Sequence, residues 1–131
     1  MTRVPEPTTQ LLELLDGYRA VQALYVAAQL RLADLLKDGP RHSDELAPVT
    51  GTDQRSLHRL LRALASLEVL QEDDEGRFAL TALGNLLRSD VPDSLRAAVI
   101  FYGGRRHWTA WGGLLDSVKS GKTAFGVSSR A

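Results

Sequence analysis

Apolar positions recur at helical spacing along most of this chain and at strand spacing only near its middle. Near the start, Leu11, Leu14, Leu15, Tyr18, Val21, Leu24, Tyr25, Ala28, Leu32, Leu35 and Leu36 fall on one broad face, while Glu13, Asp16, Arg31 and Asp34 mark the other. At about 100° per residue the apolar side covers roughly half the circumference, more than an ordinary surface helix needs. The pattern predicts one helix, capped by Thr8 or Thr9 and running to about Lys37, with Gly17 as its bend. Some 30 residues would reach about 45 Å, longer than so small a domain is wide. So broad a face meets two surfaces, its own domain and a second copy of the chain, with a central helix buried in a monomer as the alternative.

Gly39 and Pro40 stop this helix, Ser43 caps a short one carrying Asp44, Glu45 and Leu46, and Pro48 ends it. After the turn at Thr50 and Gly51, Thr52 is the expected N-cap of the next helix, with Asp53 in its first turn, where a carboxylate suits the helix dipole. Leu57, Leu60, Leu61 and Leu64 then repeat at i, i+3, i+4 and i+7, one core-facing stripe. Residues 69–71 and 77–80 can pair across the polar tip EDDEG. Short helix, turn, longer helix and hairpin together make a winged helix. Beyond it, a helical stretch runs from Thr81 to near Ser89, and another starts at Pro92, Asp93 and Ser94 and carries Leu95, Ala98, Val99 and Tyr102. Gly103 and Gly104 break that one, and a final helix over 105–119 aligns Trp108, Trp111, Leu115 and Val118. The expected fold is mainly α: a winged-helix core with a small β-hairpin wing, a long N-terminal dimerisation helix and C-terminal helices. Residues 1–9 read as a flexible arm, 10–125 as the domain and 126–131 as a disordered tail.

At 131 residues and 44% hydrophobic content the chain suits one domain with a real core. Sixteen Lys plus Arg balance sixteen Asp plus Glu, so no overall positive field draws in nucleic acid. Arg55, His58, Arg59 and Arg62 nevertheless form a basic stripe opposite the leucines, where a helix-turn-helix regulator of the IclR or MarR kind would read the major groove. The wing opposes that reading. Glu72, Asp73, Asp74 and Glu75 would meet the phosphates with four negative charges. The chain has no cysteine, which removes disulfides and thiolate chemistry, and no stretch nears the roughly 20 apolar residues of a membrane span. A cytoplasmic protein is expected.

No catalytic constellation emerges. The pairs Gly103–Gly104 and Gly112–Gly113 follow no buried strand and read as helix-packing or hinge positions rather than a nucleotide loop. No His and carboxylate set has metal-ligand spacing. Of the three histidines only His107 lies beside aromatic residues. With Phe101, Tyr102, Trp108 and Trp111 it could line a pocket, or the group could be core aromatics beside a surface histidine.

In order, LRLADLL, HSDELAPVTGTDQRSLHRLLRALASLEVL, GRFALTALGNLLR and HWTAWGGLLDSVKSGKTAF resemble the N-terminal dimerisation domain of S-adenosylmethionine-dependent O-methyltransferases, both the bacterial group acting on aromatic polyketides and related natural products and the plant enzymes acting on phenolics. The resemblance covers residues of about 10–125. It implies a homodimer interlocked through the first helix and a lid over an aromatic or polyketide-like acceptor. Phe101, Tyr102, His107, Trp108 and Trp111 would then face the acceptor. Leu11, Leu14, Leu15, Tyr18, Val21, Leu24, Tyr25, Ala28 and Leu32 would form the seam, with Tyr18 and Tyr25 reaching the partner's pocket. The family's glycine-rich cofactor loop and histidine base have no counterpart here. The resemblance therefore implies no catalytic residue and no cofactor bound by this chain, with S-adenosylmethionine expected for the parent enzyme. A fragment, a truncated product and a free module that forms mixed dimers with a full-length enzyme all fit this departure.

Overall fold

The computed structural model describes residues 6–123. Eight helices and one hairpin follow in order: α1 (Pro7–Gln29), α2 (Leu32–Leu36), α3 (Ser43–Thr50), α4 (Gln54–Ser66), β1 (Leu70–Glu72), β2 (Phe78–Leu80), α5 (Ala82–Asn85), α6 (Arg96–Gly103), α7 (Arg105–Gly112) and α8 (Leu114–Ser120). The mainly helical winged-helix fold matches the expected class. The expected tail lies outside the described residues.

The first helix differs from expectation at both ends and in its bend. It starts at Pro7, with Glu6 rather than a threonine as N-cap, because proline's fixed φ suits the first helical turn. It runs through Gly17 without a break and ends at Gln29. The break comes instead at Arg31, which takes a left-handed conformation (φ 56°, ψ 38°). Packing forces it there. Ala27 on one side of the break and Leu32 and Leu36 on the other all enter one core, which a straight rod could not arrange. The carbonyl of Ala28, which accepts from Arg31 N–H at 3.2 Å, also accepts a bond from Arg96 Nε at 2.9 Å.

That core joins α2 to the winged helix through Leu46, Leu57, Leu61, Leu64, Val69, Leu70 and Phe78. Leu60, expected with the other leucines of its stripe, is only half-buried at its edge. His42, not Ser43, is the N-cap of α3. Its backbone N–H donates to the Glu45 carboxylate at 3.2 Å, and Ser43 turns inward. Pro48 lies within α3, which continues to Thr50 before Gly51 ends it at φ 66°. Asp53, not Thr52, caps α4 by accepting from Ser56 N–H at 3.0 Å. That bond holds the Asp53 carboxyl below its ordinary value.

The hairpin pairs Leu70 with Leu80, Gln71 with Ala79 and Glu72 with Phe78, each strand within a residue or two of its expected bounds. Asp73 shapes the tip, accepting from Arg77 N–H and from Arg77 Nε, each at 2.9 Å. After the wing, α5 is a single turn rather than a stretch to Ser89. The chain then crosses to α2, where Asp34 accepts from the Ser89 N–H and O–H, both at 2.8 Å. The expected last helix is two, parted at Gly113. Among the described residues no helix is long and apolar enough to cross a membrane.

The Asp34–Ser89 contact carries a testable pH dependence. Burial alone would raise the Asp34 carboxyl, but the two Ser89 donors outweigh it and bring it below its ordinary value. A depressed carboxyl gives stability that is present above its unfolded value near pH 4 and lost as pH falls through the folded value. Asp34→Ala is expected to cost about 1–2 kcal/mol at pH 7, and urea midpoints measured down to about pH 3 should show that cost shrinking.

Candidate substrate cleft and exposed helix face

Two glycines set the geometry of the cleft. Gly103 ends α6 against α1, where a Cβ would come within 2.6 Å of the Tyr25 Cβ. Its carbonyl accepts from Gln22 Nε2 at 2.9 Å. This is the packing role expected of that glycine pair. Gly104, extended at φ −72° and ψ 161°, then turns the chain into α7. The turn sets His107, Trp108 and Trp111 opposite Tyr18 and Val21 of α1.

Between the two helices lies a cleft of about 580 Å³, lined by Tyr18, Val21, Tyr102, His107, Trp108 and Trp111. That volume lies within the usual small-molecule range of about 300–1,000 Å³. Trp108 meets Tyr18 edge to face with ring centroids 6.0 Å apart. His107 sits among rings, 5.1 Å from Tyr102, 5.4 Å from Phe101 and 6.5 Å from Trp111. The Trp111 indole N–H donates to His107 Nε2 at 3.1 Å. An indole nitrogen only donates, so Nε2 is the accepting nitrogen and the imidazole proton sits on Nδ1. The walls therefore offer ring faces and edges, suited to a flat partner.

Four of the five expected pocket residues line the cleft. Phe101 stands behind them, packed on Tyr102 and His107. The reading of these side chains as core aromatics fails, because Phe101, Tyr102 and Trp111 are each more than half exposed. Tyr18 and Val21 were assigned to the seam, yet they face the cleft of their own chain. Their spacing on the apolar side of α1 was visible in the sequence, but nothing there showed that α7 would fold back over them.

The expected seam residues divide into three groups. Leu11, Leu14 and Leu15 are 62%, 76% and 63% exposed, and Tyr18 and Val21 are also open. Leu24 and Tyr25 are half-buried under α6. Ala28 and Leu32 are buried inside the chain's own fold, so they cannot contribute to a seam. The reading of α1 as a central buried helix is also overturned, since residues 6–19 are exposed throughout. Leu115 and Val118 of α8, 66% and 73% exposed, add to the uncovered apolar surface. So much exposed apolar area in one domain marks an interaction surface.

The basic stripe on α4 is interrupted. His58 turns inward, its Nδ1 3.2 Å from Ser43 Oγ and its ring edge to face with Phe78. Arg62 leans to Glu72 of the wing at 3.8 Å. Arg55, Arg59 and Arg62 remain exposed, Arg62 with Glu72 as its neighbour.

Residues 12–90 match the model of the O-methyltransferase dimerisation domain. The chain belongs to this family. It is 44% identical over 115 residues to the phenazine O-methyltransferase of Lysobacter antibioticus, covering 88% of this chain and 33% of that protein. The crystal structure of an N,N-8-amino-8-demethyl-D-riboflavin dimethyltransferase from Streptomyces davawensis superposes with a TM-score of 0.89 at 38% identity, over 97% of this chain and 38% of the other. A methyltransferase of calicheamicin biosynthesis, solved with S-adenosylhomocysteine bound, gives a TM-score of 0.78 at 38% identity, over 91% and 36% of the two chains. The dimerisation domain thus spans about a third of the curated relatives it matches. The comparisons place its winged helix among small-molecule methyltransferases and give a DNA-reading regulator no support.

Proposed function

We propose that this dimerisation domain forms a homodimer through the exposed half of α1 and serves as the acceptor-covering lid of an S-adenosylmethionine-dependent methyltransferase. The observation that carries the reading is the cleft between α1 and α7, walled almost entirely by aromatic rings. Such walls hold a flat acceptor by stacking and exclude water, which orients the acceptor for direct methyl transfer from sulfonium. The relatives' names point the same way, to phenazine and riboflavin ring systems. One transfers to oxygen and the other to nitrogen, so the atom methylated is selected elsewhere in the parent enzyme.

S-adenosylmethionine would be held outside residues 6–123. Among them the one sheet is an antiparallel pair, and no strand leads through a glycine-rich turn into a helix N-terminus, the backbone arrangement that cofactor needs. The dimerisation domain contributes position and exclusion of water, and the parent's remaining residues contribute the chemistry.

The test uses the full-length parent enzyme. Trp108→Ala removes one wall of the cleft and is expected to raise the KM for the acceptor about tenfold, the equivalent of about 1.4 kcal/mol. The KM for S-adenosylmethionine should not move. Equal effects on both constants, or none on the acceptor, would refute the lid assignment.

A further inference from the structure

A second recess lies between the start of α3 and the exposed face of α4. Its volume is about 610 Å³ and its lining is polar, with His42, Ser43 and Asp44 on one side, Gln54, Arg55, His58 and Arg59 on the other, and Gly76 of the wing tip at its rim. We propose that this recess is a binding site for a phosphate-type oxyanion. The inference does not rest on the role assigned to the aromatic cleft.

Charge is the first argument. Six other arginines have a carboxylate partner: Arg19 with Asp16, Arg31 with Asp34, Arg41 with Glu45, Arg62 with Glu72, Arg77 with Asp73 and Arg88 with Asp90. Arg55 and Arg59 have none within 4.0 Å among the described residues, as is also true of Arg96, Arg105 and Arg106, and Asp53 at the start of α4 feels the charge of Arg59. Arg55 and Arg59 stand one turn apart on one face of α4, so two like charges are left side by side. An oxyanion between them relieves that repulsion and offers each guanidinium a pair of acceptor oxygens.

The second argument is a hydrogen-bond relay that orients the imidazole between them. Gln54 Nε2 donates to Ser43 Oγ at 2.9 Å. Ser43 Oγ in turn lies 3.2 Å from His58 Nδ1, the donor of that bond being set by the histidine tautomer. Ser43 is only 5% exposed, and the edge-to-face contact with Phe78 holds the ring. The recess therefore combines two guanidiniums with an imidazole held in place.

Asp44 is the one carboxylate in the lining. It leaves a net positive site and sets a preference. Hydrogen phosphate carries a P–OH that can donate to a carboxylate, whereas sulfate at neutral pH has only acceptors and gains no bond to Asp44.

The experiment is a ¹⁵N–¹H titration of the 131-residue chain with sodium phosphate near pH 7, against sodium sulfate and chloride at matched ionic strength. Saturable shifts confined to residues 42–44 and 54–59 are expected, with sulfate at least several-fold weaker and chloride without effect. The double variant R55Q/R59Q alters two exposed side chains, so its spectrum should stay folded while phosphate affinity falls at least about tenfold. Shifts that stay linear up to about 50 mM phosphate would overturn the proposal. So would equal shifts with chloride, or wild-type phosphate affinity in R55Q/R59Q. Binding of a short duplex without binding of phosphate would also overturn it, and would return the α4 face to nucleic acid.

Discussion

Gly84→Ala is expected to destabilise the domain by about 3–5 kcal/mol, a large part of the roughly 5–15 kcal/mol that holds a domain of this size together. Gly84 lies buried in α5, directly against the backbone of β1's approach. An added Cβ would overlap the Val69 carbonyl oxygen and come within 3.3 Å of both the Val69 carbonyl carbon and Leu80 Cδ2. The carbonyl cannot swing aside cheaply. It already accepts from the Thr81 N–H at 3.3 Å and shares the Thr81 hydroxyl proton, at 2.8 Å, with the Glu68 carbonyl at 2.6 Å, and the same hydroxyl accepts from Gly84 N–H at 3.2 Å. Threonine and glycine three residues apart thus form one device: the threonine ties the turn to the strand, and the glycine lets the helix lie on it. Overpacking of this kind costs about 1–3 kcal/mol, and each strained hydrogen bond adds about 1 kcal/mol. Thermal unfolding should show the loss as a fall in Tm of more than about 10 °C. A change within about 1 kcal/mol would mean that α5 is not pressed onto the strand.

The same device shows which parts of the fold the sequence could disclose. The winged helix was readable because its signals are local: leucines at 57, 61 and 64 on one stripe, a carboxylate at the start of α4, and an acidic tip between two short apolar runs. The break in the first helix was not readable. Gly17 was the residue with conformational freedom, yet it stays helical, because freedom permits a bend and only packing compels one. Arg31 takes the left-handed conformation although side chains disfavour it, because the residues on both sides must reach one core. A similar limit governed the cleft. The sequence gathered Tyr102, His107, Trp108 and Trp111, but Tyr18 and Val21 joined them only when Gly103 docked α6 on α1. Apolar periodicity marks a side chain as needing cover without naming what covers it. Leu32 and Leu14 therefore looked alike in the sequence, although one lies in the core and the other is open.

That distinction makes the seam testable without unfolding the domain. The double variant Leu14→Asp, Leu15→Asp is expected to sediment as a monomer at micromolar concentration with an unchanged helical spectrum. In the single chain these side chains are 76% and 63% exposed, so the domain's own core does not depend on them. Across a two-fold interface the pair becomes four leucines. Fully buried, each is worth about 1.5–3 kcal/mol, so their loss should weaken association by more than about 6 kcal/mol, over four orders of magnitude in Kd. Carboxylates placed in an apolar seam add a desolvation cost in the same direction. Substitution at Leu32 could not make this separation, since its side chain is 1% exposed and its loss strikes the fold itself. Tyr18 lies one turn beyond Leu14 on the helix and forms a wall of the cleft, so loss of the partner should also change the surroundings of Trp108, visible as a red shift of tryptophan emission. A variant that remains dimeric would show that α1 is not the seam, and would direct the search to the exposed Leu115 and Val118 of α8.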